Sequence, residues 1–119
     1  MRENTIRNKS FAFAIRIVKL YQFLCEAKKK FILSKQLLRS GTAVGALIRE
    51  AEHAESKTDF KHQMSIAQKE INETIYWLEL PKATGYLTDE QFQSINKDAV
   101  EIIKLLTSII KSTKANINH

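Results

Sequence analysis

The sequence predicts an all-α fold, an antiparallel up-down-up-down four-helix bundle, and three observations carry that prediction. Breakers are scarce: 3 glycines and 1 proline stand among 119 residues, against a usual combined share of roughly 12%. A β-sandwich or barrel needs turn signals every ~8–12 positions, more than these breakers supply. Apolar residues recur at three- and four-residue spacing through four separate stretches. Two of those stretches open on capping boxes.

The first helix is expected over about residues 10–27, with Ser10 as its N-cap. Its apolar residues form two stripes, Phe11, Ile15, Val18, Cys25 and Phe13, Ile17, Leu20, Leu24, which together make a wide apolar face. Lys9, Arg16 and Lys19 fall on the other side. Cys25, set among Phe23 and Leu24, reads as a buried small hydrophobe. A lone cysteine builds neither an internal disulfide nor a thiolate cluster.

The second helix is expected over about 33–54, on a stripe of Leu33, Leu37, Val44, Leu47, Ile48 and Ala51. Gly41 and Gly45 share one face of it. Each glycine costs about 1 kcal/mol relative to alanine inside a helix, so the pair points to close approach of another helix.

Ser56-Lys57-Thr58-Asp59 caps the third helix, expected over about 57–80 with Phe60, Met64, Ala67, Ile71 and Leu78 inward and Ile66 and Trp77 at the margin. Pro81 either ends it near Leu80 or kinks it, so that it finishes before Gly85. Thr88-Asp89-Glu90-Gln91 caps the fourth helix, expected over about 89–114. Its residues Phe92, Ile95, Ala99, Ile102, Leu106 and Ile109 alternate three and four apart, the seam of a bundle. The polar tail after Lys114 is expected to fray. No repeat or linker interrupts the pattern, so residues 1–119 read as one domain.

Chemistry finds little footing. The three glycines cannot be written into a phosphate-binding loop, and no serine sits in a Gly-x-Ser-x-Gly elbow. A di-iron bundle needs Glu-x-x-His on two helices and an inward Glu on each of the others. Glu50 with His53 supplies one such pair and Asp59 with His62 imitates another, both beside the same turn. Glu70 and Glu73 lie further along, and Glu26 is the first helix's one carboxylate. No six-ligand set forms at one level, so no metal, cofactor or catalytic residue is expected. Glu70, Glu73 and Tyr76 read as residues of an interface or a helix face rather than as an acid–base set.

Charge carries the functional signal. Residues 1–49 hold 11 basic and 2 acidic side chains, whereas 50–101 hold 5 and 11. This asymmetry suits an anionic partner, head-to-tail contact between copies of the chain, or solvated faces with no partner. Arg16 and Lys19 on the first helix, Lys28, Lys29 and Lys30 in the connection, and Lys35, Arg39 and Arg49 on the second form a candidate nucleic-acid surface. Such clusters neutralise phosphates with little base discrimination. No membrane span and no signal peptide are evident, so a cytoplasmic location is expected.

Long motifs then resemble one bacterial family. They are Ser34–Ala51, Ser56–Phe60, Ser65–Leu78 and Thr84–Leu87, and they are similar to the four-helix-bundle proteins of 23S rRNA intervening sequences, a family also labelled ribosomal protein. Pro81 departs from the pattern, which usually keeps an apolar helix former there. The resemblance implies a ring-like homopentamer. It also implies kinship with the accessory variability protein of retroelements, a basic pentamer that binds nucleic acid and a reverse transcriptase. Arg39, Glu50, Glu70, Glu73 and Tyr76 match the motif and, with Gly41 and Gly45, are assigned to packing or subunit contacts. The leading expectation is a non-catalytic homo-oligomer that binds structured RNA or a ribonucleoprotein. The alternative is a protein-binding scaffold with no nucleic-acid role.

Overall fold

The structure, a computed structural model, describes residues 2–117, and the side chains of all of these except 2–4 and 31. The described residues form four α-helices and no strand: α1 (Arg2–Glu26), α2 (Phe31–Ala51), α3 (Lys57–Ala83) and α4 (Asp89–Ile117). The helices are joined by short turns, and each folds back on the one before it. α1 packs on α2 and α4, α3 packs on the same two, and the backbones of the diagonal pairs stay apart. The result is a rod of 51 × 22 × 20 Å, with its core running along the long axis.

One stripe from each helix fills that core. Ile6, Phe13, Ile17 and Leu24 come from α1, Leu37, Val44, Ile48 and Ala51 from α2, and Met64, Ala67, Ile71 and Leu78 from α3. On α4 all six seam residues named from the sequence are buried. The expected α3 stripe omitted Thr74, which is fully buried. Its hydroxyl lies 3.0 Å from the Ser40 hydroxyl of α2 and 2.8 Å from the Glu70 carbonyl, and these partners offset its desolvation.

Both expected caps form, although at α3 the Asp59 carboxylate accepts from the Glu55 N–H instead of the Ser56 N–H that a full box requires. The Asp59 N–H donates to Ser56 Oγ at 3.0 Å. At α4 the exchange is reciprocal, the Gln91 N–H to Thr88 Oγ1 at 3.1 Å and the Thr88 N–H to Gln91 Oε1 at 2.9 Å.

Every expected helix boundary but these two starts moves. Ser10 is not an N-cap: α1 begins at Arg2, and Ser10 is buried within it, donating to the Arg7 carbonyl at 3.1 Å. A serine hydroxyl serves either role, and Ile6 extends the core stripe one turn further back. α2 runs over 31–51 instead of 33–54. It stops at Ala51 because Glu52, His53 and Ala54 bond three residues back and tighten the final turn.

α3 passes through Pro81 to Ala83 rather than ending near Leu80. A proline so near the end removes one intrahelical donor, and a Schellman motif closes the helix beyond it. The Tyr86 N–H reaches the Pro81 carbonyl at 2.8 Å and the Gly85 N–H the Lys82 carbonyl at 3.2 Å. Gly85 takes φ +84°, which its missing Cβ permits. α4 continues as helix to Ile117, past the expected fraying point. Residues 118–119 lie outside the described ones.

Gly41 faces Ile17 closely enough that an added Cβ would stand 2.7 Å from Ile17 Cγ1 and 2.8 Å from Cγ2. At Gly45 the nearest atom would be the Ser10 carbonyl oxygen at 3.4 Å, an ordinary contact. Gly41→Ala is therefore expected to lower stability, because overpacking costs roughly 1–3 kcal/mol against a helix-propensity gain of about 1 kcal/mol. Gly45→Ala is expected to be neutral or stabilising. Urea unfolding of the two variants checks this, and equal midpoints would contradict it.

Candidate nucleic-acid interface

The eight basic residues singled out from the sequence do not share one condition. Arg16 is held by α4: its Nη1 donates to Asp98 Oδ2 at 2.7 Å and to the Ser94 carbonyl at 3.1 Å, and its Nη2 to Ser94 Oγ at 2.8 Å. The neighbouring Lys9 pairs with Glu101. The face expected to oppose the core is thus turned towards α4, whose carboxylates receive it.

Arg39 is held by α3. Its Nη1 donates to Glu70 Oε2 at 3.0 Å and its Nη2 to Glu73 Oε2, which also accepts from Trp77 Nε1 at 3.0 Å. Desolvation pulls the Arg39 pKa down, but the hydrogen bond and charge of Glu73, together with those of Glu70, outweigh it and raise it. Tyr76 meets the Trp77 ring edge-on, with centroids 5.0 Å apart, and remains exposed. Arg39, Glu70 and Glu73 therefore make a clamp within the chain, and Gly41 and Gly45 face α1 of the same chain. Glu50 and Tyr76 are exposed and take no part in the clamp.

The remaining cations are exposed or half-exposed. Lys19, Lys28, Lys29, Lys30, Lys35 and Arg49 have no carboxylate partner among the described residues. Three of them lie over aromatic rings: Lys28 over Phe23 at 5.8 Å, Lys30 over Tyr86 at 4.2 Å and Arg49 over Phe11 at 4.8 Å from the centroid. Cation–π contacts at exposed sites are worth about 0.5–1 kcal/mol, weak enough to yield to a phosphate. Lys29 takes φ 59°, where the α1–α2 turn reverses the chain. Lys28, Lys29, Lys30 and Lys35 thus cluster around one end of the rod. Phe23 and Tyr86 are part of this surface and were not singled out from the sequence; nothing in the spacing connects Lys30 with Tyr86.

Two further expectations need correction. Cys25 is half-buried, not buried, and its hydrogen bond to Tyr21, aided by its charge and by burial, raises the phenol pKa. Of the two α1 stripes, only that of Phe13, Ile17 and Leu24 enters the core. Phe11, Ile15 and Val18 are 51%, 43% and 38% exposed, because the close α1–α2 contact sets which face turns inward.

Among the described residues, no three His, Cys, Asp or Glu side chains converge on a point that a metal ion could occupy. No described helix is long and apolar enough to cross a membrane.

The sequence pattern of the 23S rRNA-intervening sequence proteins matches residues 2–108. The chain belongs to that family. It is also similar to a Bacteroides thetaiotaomicron protein of known crystal structure, described as a protein of unknown function from the S23 ribosomal protein family. The two share 58% identity and superpose with a TM-score of 0.92, over 93% of this chain and 99% of the other. No curated protein matches. At that identity and TM-score the two chains share the helical fold over the matched residues.

Arg39→Met is expected to lower stability by no more than about 1 kcal/mol, the usual ceiling for an exposed pair, and to shift Trp77 emission through Glu73. A double-mutant cycle with Glu73→Gln checks the clamp, and a zero coupling energy would remove it.

Proposed function

We propose that this intervening-sequence protein is a non-catalytic, homo-oligomeric bundle that binds structured RNA or a ribonucleoprotein through the basic end of the rod. The observation that carries the reading is the sorting of cations. Arg16 and Arg39 are consumed by α4 and α3, whereas Lys28, Lys29, Lys30 and Lys35 have no carboxylate within reach among the described residues. Unneutralised lysines gathered on one end attract a polyanion and read its charge and shape.

The salt dependence of binding is the direct test. Four phosphate contacts predict that log K falls with log salt at a slope of about −3. Reversing Lys28, Lys29, Lys30 and Lys35 to glutamate abolishes binding to a structured RNA and leaves helix content unchanged. Arg39 stays out of that variant, since its reversal breaks the clamp to α3. Binding that ignores salt, or survives the reversal, overturns the reading.

A second reading, a protein-binding scaffold, is favoured by the exposed stripe of Phe11, Ile15 and Val18. Such a stripe marks an interaction surface. If copies of the chain associate there, Ile15→Asp lowers the mass measured by light scattering towards that of the monomer. If RNA binding is absent while the assembly persists, the scaffold reading stands alone.

A further inference from the structure

A groove of about 480 Å³ runs between α1 and α4 beside the basic end, within the range of small-molecule sites, roughly 300–1,000 Å³. Leu20, Phe23 and Ile95 give it an apolar floor, and Arg16, Lys19, Glu90 and Gln91 line it as well. Arg16 is fixed in place by Ser94 and Asp98. Gln91 uses its Oε1 in the α4 capping box, which leaves its amide N–H groups without a partner among the described residues. Glu90 has no ion-pair partner among them either. The Lys28 ammonium lies 5.8 Å from the Phe23 ring centroid, so the groove opens directly onto the lysine cluster.

We infer that this groove receives one unpaired nucleobase of the bound RNA, stacked on Phe23. The inference rests on the RNA-binding reading and deepens it. Duplex RNA keeps the faces of its bases stacked on one another and its major groove is too narrow for side chains to read, whereas the unpaired bases of loops and bulges stack on aromatic rings. An aromatic ring beside cations suits that chemistry: the ring takes the base and Lys19 and Lys28 take the flanking phosphates. A lone apolar ligand would leave Lys19, Glu90 and Gln91 unanswered. Glu90 selects the occupant, because a carboxylate accepts from an edge that donates twice. Guanine offers such an edge through N1–H and the 2-amino group, and uracil does not.

The test compares three labelled RNAs by fluorescence anisotropy: a hairpin with an all-uridine loop, the same hairpin with one loop guanosine, and a blunt duplex of equal length. The guanosine hairpin is expected to bind several-fold more tightly than the uridine hairpin, and both more tightly than the duplex. Phe23→Ala weakens hairpin binding about tenfold and leaves the duplex unchanged, and Phe23→Tyr restores the hairpin affinity. Glu90→Gln removes the preference for guanosine alone. Thermal melting establishes that each variant is folded; Phe23 is 37% exposed, so its truncation leaves the core intact. Equal binding of hairpin and duplex, unaltered by Phe23→Ala, overturns the groove while RNA binding stands. Failure of all three RNAs to bind overturns the RNA reading itself.

Discussion

The contact between Ile17 and Gly41 governs the arrangement of the bundle. No Cβ separates the two helices there, so the Ile17 side chain rests against the α2 backbone. That contact sets the rotation of α1 about its own axis. With Ile17 inward, Phe13 and Leu24 follow it into the core, and Phe11, Ile15 and Val18 are carried to the outside. The same rotation brings Arg16 and Lys9 over the carboxylates of α4. A small core is felt along its whole length when one such contact is overfilled.

Ion pairs then divide the basic residues into two groups. Those on helix flanks meet acidic residues on the neighbouring helix or at its cap: Arg7 with Glu52, Lys9 with Glu101, Arg16 with Asp98, Arg39 with Glu70 and Glu73. The acidic stretch 50–101 thus neutralises part of the basic stretch 1–49 inside one chain. The lysines at the α1–α2 turn form no such pair among the described residues, and two of them lie over Phe23 and Tyr86 instead. That cluster of unpaired lysines sits beside the α1–α4 groove. The α1–α4 contact is the sparsest of the four, and the groove beside the basic end opens along it.

Much of this was legible in the sequence where the signal was local. Both caps are set by residues three apart, and the α4 seam by spacing along one helix, so neither needed a partner to be read. The close-packing role of Gly41 was legible because a mid-helix glycine is costly without one. The beginning of α1 was not, since Ile6 is the one apolar residue in positions 2–9 and no periodicity can be read there. Thr74 was missed because its polar atom disguises a core position, and only Ser40 on another helix reveals why it is tolerated.

The sequence by itself determined the helical class, the four elements, two of their starts and the surplus of positive charge in the first half. These follow from spacing, propensity and composition, which act within a few residues. Only the tertiary structure decided which α1 stripe is buried, that Arg16 and Arg39 are tied within the chain, and that Phe23, Glu90 and the α1-α2 lysines meet at one end. Each of those depends on residues far apart in the chain being brought face to face, and on the rotation that the Ile17–Gly41 contact imposes.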